Sequence, residues 1–410
     1  MKKPADQALV REMNLSMALR LIHQRAPISR AQLAQITGLN KSTASSLVDY
    51  LIERKLVHET GFNSAGAGRP ATMVEINPNA GGVIGVEFGV DFVSVGLTNF
   101  VGDILWRKDE ATDPADLQET TLNQTLAHVK EAMATARKKS LRLFGLGLAT
   151  PGTVNVNEGV LIFAPNLNWH NVPFRKIFSA ATKLNVFVEN DANAAAIAEH
   201  LFGLAKHDTD FIFVFAGVGI GSGLFLNGKL YRGYNGYAGE IGHFPMPTDE
   251  AQQACHCGNF DCWEMRVNQR SIIARAQARI KSKRNSMTSV LMAKQNVPLS
   301  ISIIKQAADA GDPDALAVFA ETGRALGQGL AGLCNVFNPQ KVIIGGPLSV
   351  VGNYLLPAVK EVSPRHSLPE IDQQTEIVLS NFGPDASLIG AIAIVVDEAL
   401  SNPMNLERRR

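Results

Sequence analysis

The sequence predicts an α/β protein in two parts: a small helical module with a wing, then a larger module that alternates strands and helices. Three observations carry this. Residues 14–54 hold three helical periods separated by a proline and a glycine, residues 82–204 repeat a strand-then-helix order, and 410 residues are too many for one ordinary core. With 46% hydrophobic and 19% charged residues, the composition is that of a soluble globular chain. MKKPADQALVREMN has no apolar run, so no export signal is read. The most apolar stretch, Phe211 to Leu226, is broken by four glycines and reads as a strand entering a loop, not a membrane span. A cytoplasmic protein is the expectation.

In the first module, Leu15, Ala18, Leu19 and Ile22 form one apolar helical face over Asn14–Gln24, and Pro27 ends it. Ser29 with Gln32 three residues later predicts a capping box opening a second helix, with Leu33 and Ile36 inward. Gly38 permits a tight turn, and Asn40 caps a third helix whose buried stripe is Ala44, Leu47, Val48, Leu51 and Ile52. The tip of its other face carries Lys41, Ser42, Thr43, Ser45 and Ser46. Short hydroxyls and a lysine at a helix N-terminus suit a DNA major groove, where backbone N–H groups meet phosphates and side chains meet bases. VHETG and TMVEI then predict a two-stranded wing around NSAGAGRPA, with Arg69 placed for a minor-groove contact. Residues 1–76 hold ten Lys and Arg against six Asp and Glu, a balance of +4 within a chain of net +1. This agrees with a double-stranded DNA partner without proving one.

In the second module, VIGVEFGVDFVSVGLTNFVGDIL reads as strands joined by turns, Leu117–Lys139 as a helix, and Leu143–Leu148 as a buried strand. Val186–Val188 is a further strand leading into ENDANAAAIAEHLFG, which puts Asn190 and Asp191 at a strand end, where α/β folds bind ligands. Gly217-Val218-Gly219-Ile220-Gly221-Ser222-Gly223 fits an anion-holding loop or a tight β-hairpin equally well.

Between Glu240 and Glu264 one short segment holds His243, Cys255, Cys257 and Cys262, three of the four cysteines. One imidazole and three thiolates match the N/S preference of structural Zn²⁺. Buried, inert cysteines are the plainer alternative, and Cys334 in GLAGLCNVFN is read as core. His23, His58 and His128 stand singly and read as packing or surface residues. The carboxylates of Glu240 and Glu264, at the edges of the segment, suit the hydroxyls of a sugar-like ligand.

ENDAN, GVGIGSG, GYAGEIGH, CHCGNFDCWE and NVFNPQKVIIGG together resemble the ROK family of sugar kinases and sugar-responsive repressors, over nearly the whole chain. Within it, PISRAQLAQITGLNKSTASSLV and LYRGYNGYAGEIGH are most similar to the bacterial xylose repressors. The resemblance implies a winged helix-turn-helix before a two-lobed, actin-like (ribonuclease H-like) sugar-binding module. Domains are then expected at 1–79, at 80–189 plus 387–410, and at 190–386, the last with the zinc loop and dimerisation helices. It also implies zinc on His243, Cys255, Cys257 and Cys262, and sugar on Asn166, Asn190, Asp191, Glu240, His243 and Glu264. Two departures stand out: Asp261 replaces the usual glycine before the last cysteine, and the His243-to-Cys255 spacing is about two residues longer than in many members.

The family's kinases carry an Asp-x-Gly-Gly-Thr phosphate loop, which here reads Glu87-Phe88-Gly89-Val90-Asp91. Val90 adds a Cβ where close backbone approach is needed, and the Asp91 carboxylate repels phosphate. No catalysis is therefore expected, although Asp191 keeps the position of the kinases' base. The expected function is repression of sugar-utilisation genes by a homodimer or higher homo-oligomer. An unphosphorylated aldose, xylose as the best single choice, closes the lobes and releases the operator. The alternative is a sugar kinase with an appended DNA-binding domain.

Overall fold

The computed structural model describes residues 7–63, 71–113, 116–246, 253–282 and 286–404. Arg69 lies outside them, with the tip of the wing. The chain divides into two compact units, one of residues 1–162, 169–189 and 388–410, the other of 163–168 and 190–387.

The first unit begins with α1 (Gln7–Arg25), β1 (Ile28–Ser29), α2 (Arg30–Thr37), α3 (Lys41–Glu53), β2 (Val57–Asn63) and β3 (Ala71–Ile76). Leu15, Ala18, Leu19 and Ile22 are buried as their period requires. The Ser29–Gln32 capping box closes in both directions, and the Asn40 side chain accepts from the Thr43 N–H. Ala44, Leu47, Val48 and Leu51 are buried on α3. Ile36, expected inward, is exposed. An eight-residue helix ending at the Gly38 turn (φ +71°) fills its inner face with Leu33 and Ala34 alone. The three strands pair in the order β1-β3-β2, so the wing is sealed at its base by the short strand before α2.

The rest of this unit is β4 (Gly82–Phe88), β5 (Phe92–Asn99), β6 (Ile104–Ala111), α4 (Gln118–Lys138), β7 (Leu143–Thr150), three short strands β8 (Thr153–Asn155), β9 (Val160–Ala164) and β10 (Trp169–Val172), then α5 (Phe174–Thr182) and β11 (Val186–Asn190). The main sheet has the order β11-β7-β4-β5-β6. His128 on α4 pairs with Glu110 on β6, a packing role.

The second unit contains α6 (Asp191–Leu201), β12 (Phe211–Ala216), β13 (Ile220–Leu226), β14 (Lys229–Tyr231), α7 (Glu264–Val267), α8 (Gln269–Ser282), α9 (Met287–Gln295), α10 (Ile301–Asp309), α11 (Pro313–Phe337), β15 (Lys341–Gly345), α12 (Gly352–His366), α13 (Pro369–Asp372) and β16 (Glu376–Leu379). Its sheet order is β14-β13-β12-β15-β16. Numbered in chain order within each sheet, both five-stranded sheets read 3-2-1-4-5, with the first strand antiparallel to the second and parallel to the fourth. The core of this unit gathers Ile212, Val214, Leu326, Leu330, Val342, Ile344 and Val359. Burial of such aliphatic side chains contributes about 1.5–3 kcal/mol each.

Helix α14 (Ala386–Ser401) closes the fold. Near its end, Asp397 sits 2.8 Å from the Arg20 guanidinium of α1, and Ser401 accepts from the same group. Arg20 therefore docks the helical module on the end of the chain and is not turned toward a nucleic acid. Arg30 is likewise occupied, by Asp49 and Glu59. No helix among the described residues is long and apolar enough to cross a membrane.

Candidate functional site

The glycine run 217–223 forms a β-hairpin: β12 and β13 pair from Phe211↔Phe225 to Ala216↔Ile220, and the Gly217 N–H donates to Gly219 O across the turn. Its bare backbone lets α6 pack close, since a Cβ on Gly223 would lie 2.4 Å from Ala196 Cβ, and the strip that follows packs on β13 through glycines of its own. A Cβ on Gly239 would lie 2.3 Å from Ser222 O, and one on Gly242 2.3 Å from Ile220 O. Only glycine lets the strip carrying Glu240 and His243 lie flat on β13. Ser222 fixes the strip by donating from both N and Oγ to Gly239 O.

The cysteine segment returns to the same place by an anchor that the sequence did not mark. Trp263 is fully buried and donates from Nε1 to Ala325 O on α11 at 2.9 Å. Its ring fills the space that a Cβ on Gly329 would need, 2.2 Å away. Trp263 thereby sets Cys262 on one side and Glu264 on the other. Glu264 reaches the hairpin as well, its Oε2 lying 3.1 Å from the position of a Cβ on Gly219.

The structure brings the sequence-predicted ligands together. The ligand atoms of His243, Cys255, Cys257 and Cys262 all lie within 4.8 Å of one another. Cys257 Sγ is 3.6 Å from Cys262 Sγ, and Cys255 Sγ is 3.8 Å from His243 Nδ1. Tetrahedral bonds of about 2.3 Å put neighbouring sulfurs about 3.8 Å apart, so four converging N/S donors fit a zinc-sized ion. All four cysteines are free thiols, and Cys334 is buried in α11. Burial pushes the Cys255 and Cys262 thiols up. Cys257 goes down, because the Asn259 N–H and the two neighbouring thiols outweigh its own burial. Asp261, where a glycine is usual, adopts φ +53°. It accepts from the Gln253 N–H at 2.9 Å, which closes the base of the loop.

His243 faces two ways. Nδ1 lies toward Cys255 and, at 3.8 Å, Glu264, while Nε2 lies 3.8 Å from Glu240. The Glu240 carboxyl is raised by its enclosure, lowered by His243 and raised again by Glu264, although 55% of the side chain remains exposed. Asp191 begins α6. Its carboxyl is pushed up to about 7, first by burial, against the pull of the Ala192 N–H and with a further push from Glu240. Asn190 caps α6, its Oδ1 accepting from the Ala192 and Asn193 N–H groups. Its side chain also hydrogen-bonds the Asp191 carboxylate, one of the pulls that hold that group down. Asn166 sits half-buried in the turn after β9, and among the described residues no hydrogen bond joins it to the other five. Ser387, at the start of α14, donates to Asp191 O at 3.2 Å, a support that no local motif announced.

In the helical module, Lys41, Ser42 and Ser46 are exposed, and Thr43 and Ser45 half-buried, around the first turn of α3. Ser42 Oγ donates to Asn40 Oδ1 at 2.7 Å, joining the cap. In the first unit, Glu87 and Phe88 end β4, and the Gly89 N–H donates to Phe92 O to close the turn.

The ROK family model matches residues 83–398, and a model of the MarR family matches residues 16–66. A xylose repressor of Caldicellulosiruptor bescii is 31% identical over 97% of this chain and 99% of its own length. Among solved structures, a ROK family transcriptional regulator described as a homologue of the E. coli MLC protein aligns with a TM-score of 0.81 and 29% identity, over 97% of this chain and 99% of that one. A ROK family glucokinase from Streptomyces griseus, solved with glucose and AMPPNP, aligns at 0.68 with 30% identity, over 77% of this chain and 99% of that one.

Proposed function

Since the chain belongs to the ROK family, we propose that it is a sugar-responsive repressor that binds operator DNA through its N-terminal module and leaves it when an unphosphorylated aldose is bound. Xylose is the best single candidate, given the named relative. One observation carries the reading: His243 joins three cysteines whose ligand atoms converge within 4.8 Å, and its second nitrogen looks toward Glu240 at 3.8 Å. Zinc, when bound, neutralises the thiolates and fixes the imidazole tautomer and aim. Glu240 and Glu264 then accept sugar hydroxyls, His243 Nε2 makes a further hydrogen bond, and Asp191 and the Asn190 amide complete the ring of donors and acceptors. A site lined by carboxylates and an imidazole favours a ligand with hydroxyls to offer over an apolar one.

DNA is met by the exposed tip of α3, with Lys41, Ser42, Thr43, Ser45 and Ser46 at the groove and Arg69 on the wing. A homodimer sets two such helices at the half-site spacing of a palindrome. Sugar that prefers a conformation with another spacing weakens the complex by its differential affinity.

A kinase reading has one observation in its favour, the Asp191 carboxyl at about 7, a value suited to a general base. The β4–β5 turn argues against it. The Phe92 ring lies 2.3 Å from where a Cβ on Gly89 would stand, covering the backbone that a phosphate would approach, beside the exposed Asp91. Titrating the operator complex with xylose, glucose and N-acetylglucosamine should release DNA with one of them, and indifference to all three would refute the repressor reading. Incubation with ATP, Mg²⁺ and the same sugars should give no ADP above background.

A further inference from the structure

The arginines of the helical module are held in two different ways. Arg20 is spent on the carboxylate of Asp397, and Arg30 on those of Asp49 and Glu59. Arg11 and Arg54 gather instead on one aromatic ring: the Arg54 Cζ stands 3.4 Å from the Tyr50 ring centroid, and the Arg11 Cζ 5.0 Å. Their guanidinium carbons therefore lie no further apart than those two distances laid end to end, although one comes from α1 and the other from the cap of α3. A π face orients a cation through its quadrupole and does not neutralise it. Among the described residues no carboxylate pairs with Arg11, and Glu53, 3.8 Å from Arg54, is largely exposed, so water screens that pair.

The ring stands on the same stripe of α3 as the tip. Ser42, Ser46, Tyr50 and Arg54 follow one another every four residues, which places them along one side of the helix from its first turn to its cap. Eight residues of helix rise about 12 Å, about the width of the DNA major groove. With Ser42 and Ser46 at base edges, Tyr50 and Arg54 come to the rim of the groove, where the phosphates run. Arg11 reaches this point from α1. It continues the buried face of Leu15, Ala18 and Ile22 one turn further toward the N-terminus, where it is itself exposed.

We propose that Arg11 and Arg54, aimed by Tyr50, form a clamp on the sugar-phosphate backbone of duplex DNA at the far end of α3. The inference rests on the reading of α3 as a DNA-binding helix and adds to it a site of different purpose. Guanidinium groups on phosphate fix the register of the helix in the groove, and sequence choice stays with the residues at the tip. An acidic protein could use the same two charges, but the stripe that joins them to Ser42 and Ser46 favours the duplex.

The experiment is binding of the full chain to a random-sequence DNA duplex of about three helical turns, roughly 30 base pairs. Fluorescence anisotropy is read from about 50 to 200 mM salt. Wild type is compared with R11A, R54A, R11A/R54A, Y50A, Y50F and, as a reference at the helix tip, K41A. Each phosphate contact contributes about 0.9 to the slope of log affinity against log salt, so R11A and R54A should each lower the slope by about one, and the pair by about two. Y50A leaves both charges but unties them, and should weaken binding by about threefold or more at the lowest salt. Y50F keeps the ring and should match wild type. A wild-type slope in R11A/R54A, with K41A lowered, makes the stack a packing contact between α1 and α3 and overturns the clamp, whatever happens to the melting midpoint. If the wild type does not bind the duplex, or no variant including K41A moves the slope, the DNA reading of α3 fails and the clamp with it.

Discussion

The two five-stranded sheets share one strand order, yet their first hairpins have been put to opposite uses. In the first unit the β4–β5 turn is closed over: the Phe92 ring lies on Gly89, with Val90 and the exposed Asp91 beside it. In the second, the β12–β13 hairpin presents Gly219 to Glu264 and Gly221 and Gly223 to α6, while the Glu240–His243 strip lies on Ile220 and Ser222 through its own Gly239 and Gly242. A hairpin at that position becomes a binding element only where its backbone is left accessible. Glycine without a neighbouring ring over it is the device that leaves it so.

Breaking the open side should have the largest effect. Cys262→Ser or Cys257→Ser removes a converging donor, and metal analysis should show zinc lost along with all sugar response of operator binding. A variant that keeps full response without metal would separate the cluster from the site. Gly242→Ala drives a methyl into Ile220 O and is expected to cost on the order of 2–4 kcal/mol, read as a lowered denaturant midpoint. Gly89→Ala, on the closed side, meets only a ring that can swing away. It should cost about 1 kcal/mol or less. Equal losses at the two glycines would dissolve the contrast.

Asp191 sharpens it through pH. The unfolded chain releases this proton near 3.8, whereas the folded chain holds it to about 7. The native state binds the proton more tightly, so its contribution to stability is full below 3.8 and drains away as pH rises to about 7. Asp191→Asn should flatten that slope and stabilise the protein above pH 7 by on the order of 2–4 kcal/mol. A wild-type denaturation midpoint that rises between pH 4 and pH 7, and does so equally in D191N, would contradict the assignment. The smallest effect is expected from V90G/D91T in the closed turn. Stability should move by about 0.5 kcal/mol or less, and operator release by sugar should continue without nucleotide.

Much of this was written locally in the chain. The Ser29–Gln32 box and the Asn40 cap depend on neighbours three residues apart, and the His243–Cys262 donor set lies within one segment of twenty, so such patterns survive being read one segment at a time. What could not be read depends on distant partners. Trp263 finds its slot through Gly329, Arg20 finds Asp397, and Ser387 finds the Asp191 backbone, each across tens to hundreds of residues. The glycine run at 217–223 is ambiguous for the same reason, because whether bare backbone cradles an anion or packs under a helix is decided by α6, which lies against Gly221 and Gly223. The segment Phe163–Asn168, read as part of an unbroken first lobe, groups with the second unit. Strand β9 ends at Ala164, and the turn that follows is closed by Leu167 N–H to Ala164 O and Asn168 N–H to Pro165 O.

The most direct test is operator affinity by fluorescence anisotropy, measured with a panel of aldoses on the wild-type chain and on Glu240→Gln. One aldose, xylose first, should weaken wild-type DNA binding by about tenfold or more. Glu240→Gln should bind the operator as wild type does and fail to respond. Wild-type affinity unmoved by every sugar, or a Glu240→Gln chain released as readily as wild type, would contradict the claim that the open hairpin's site governs DNA binding.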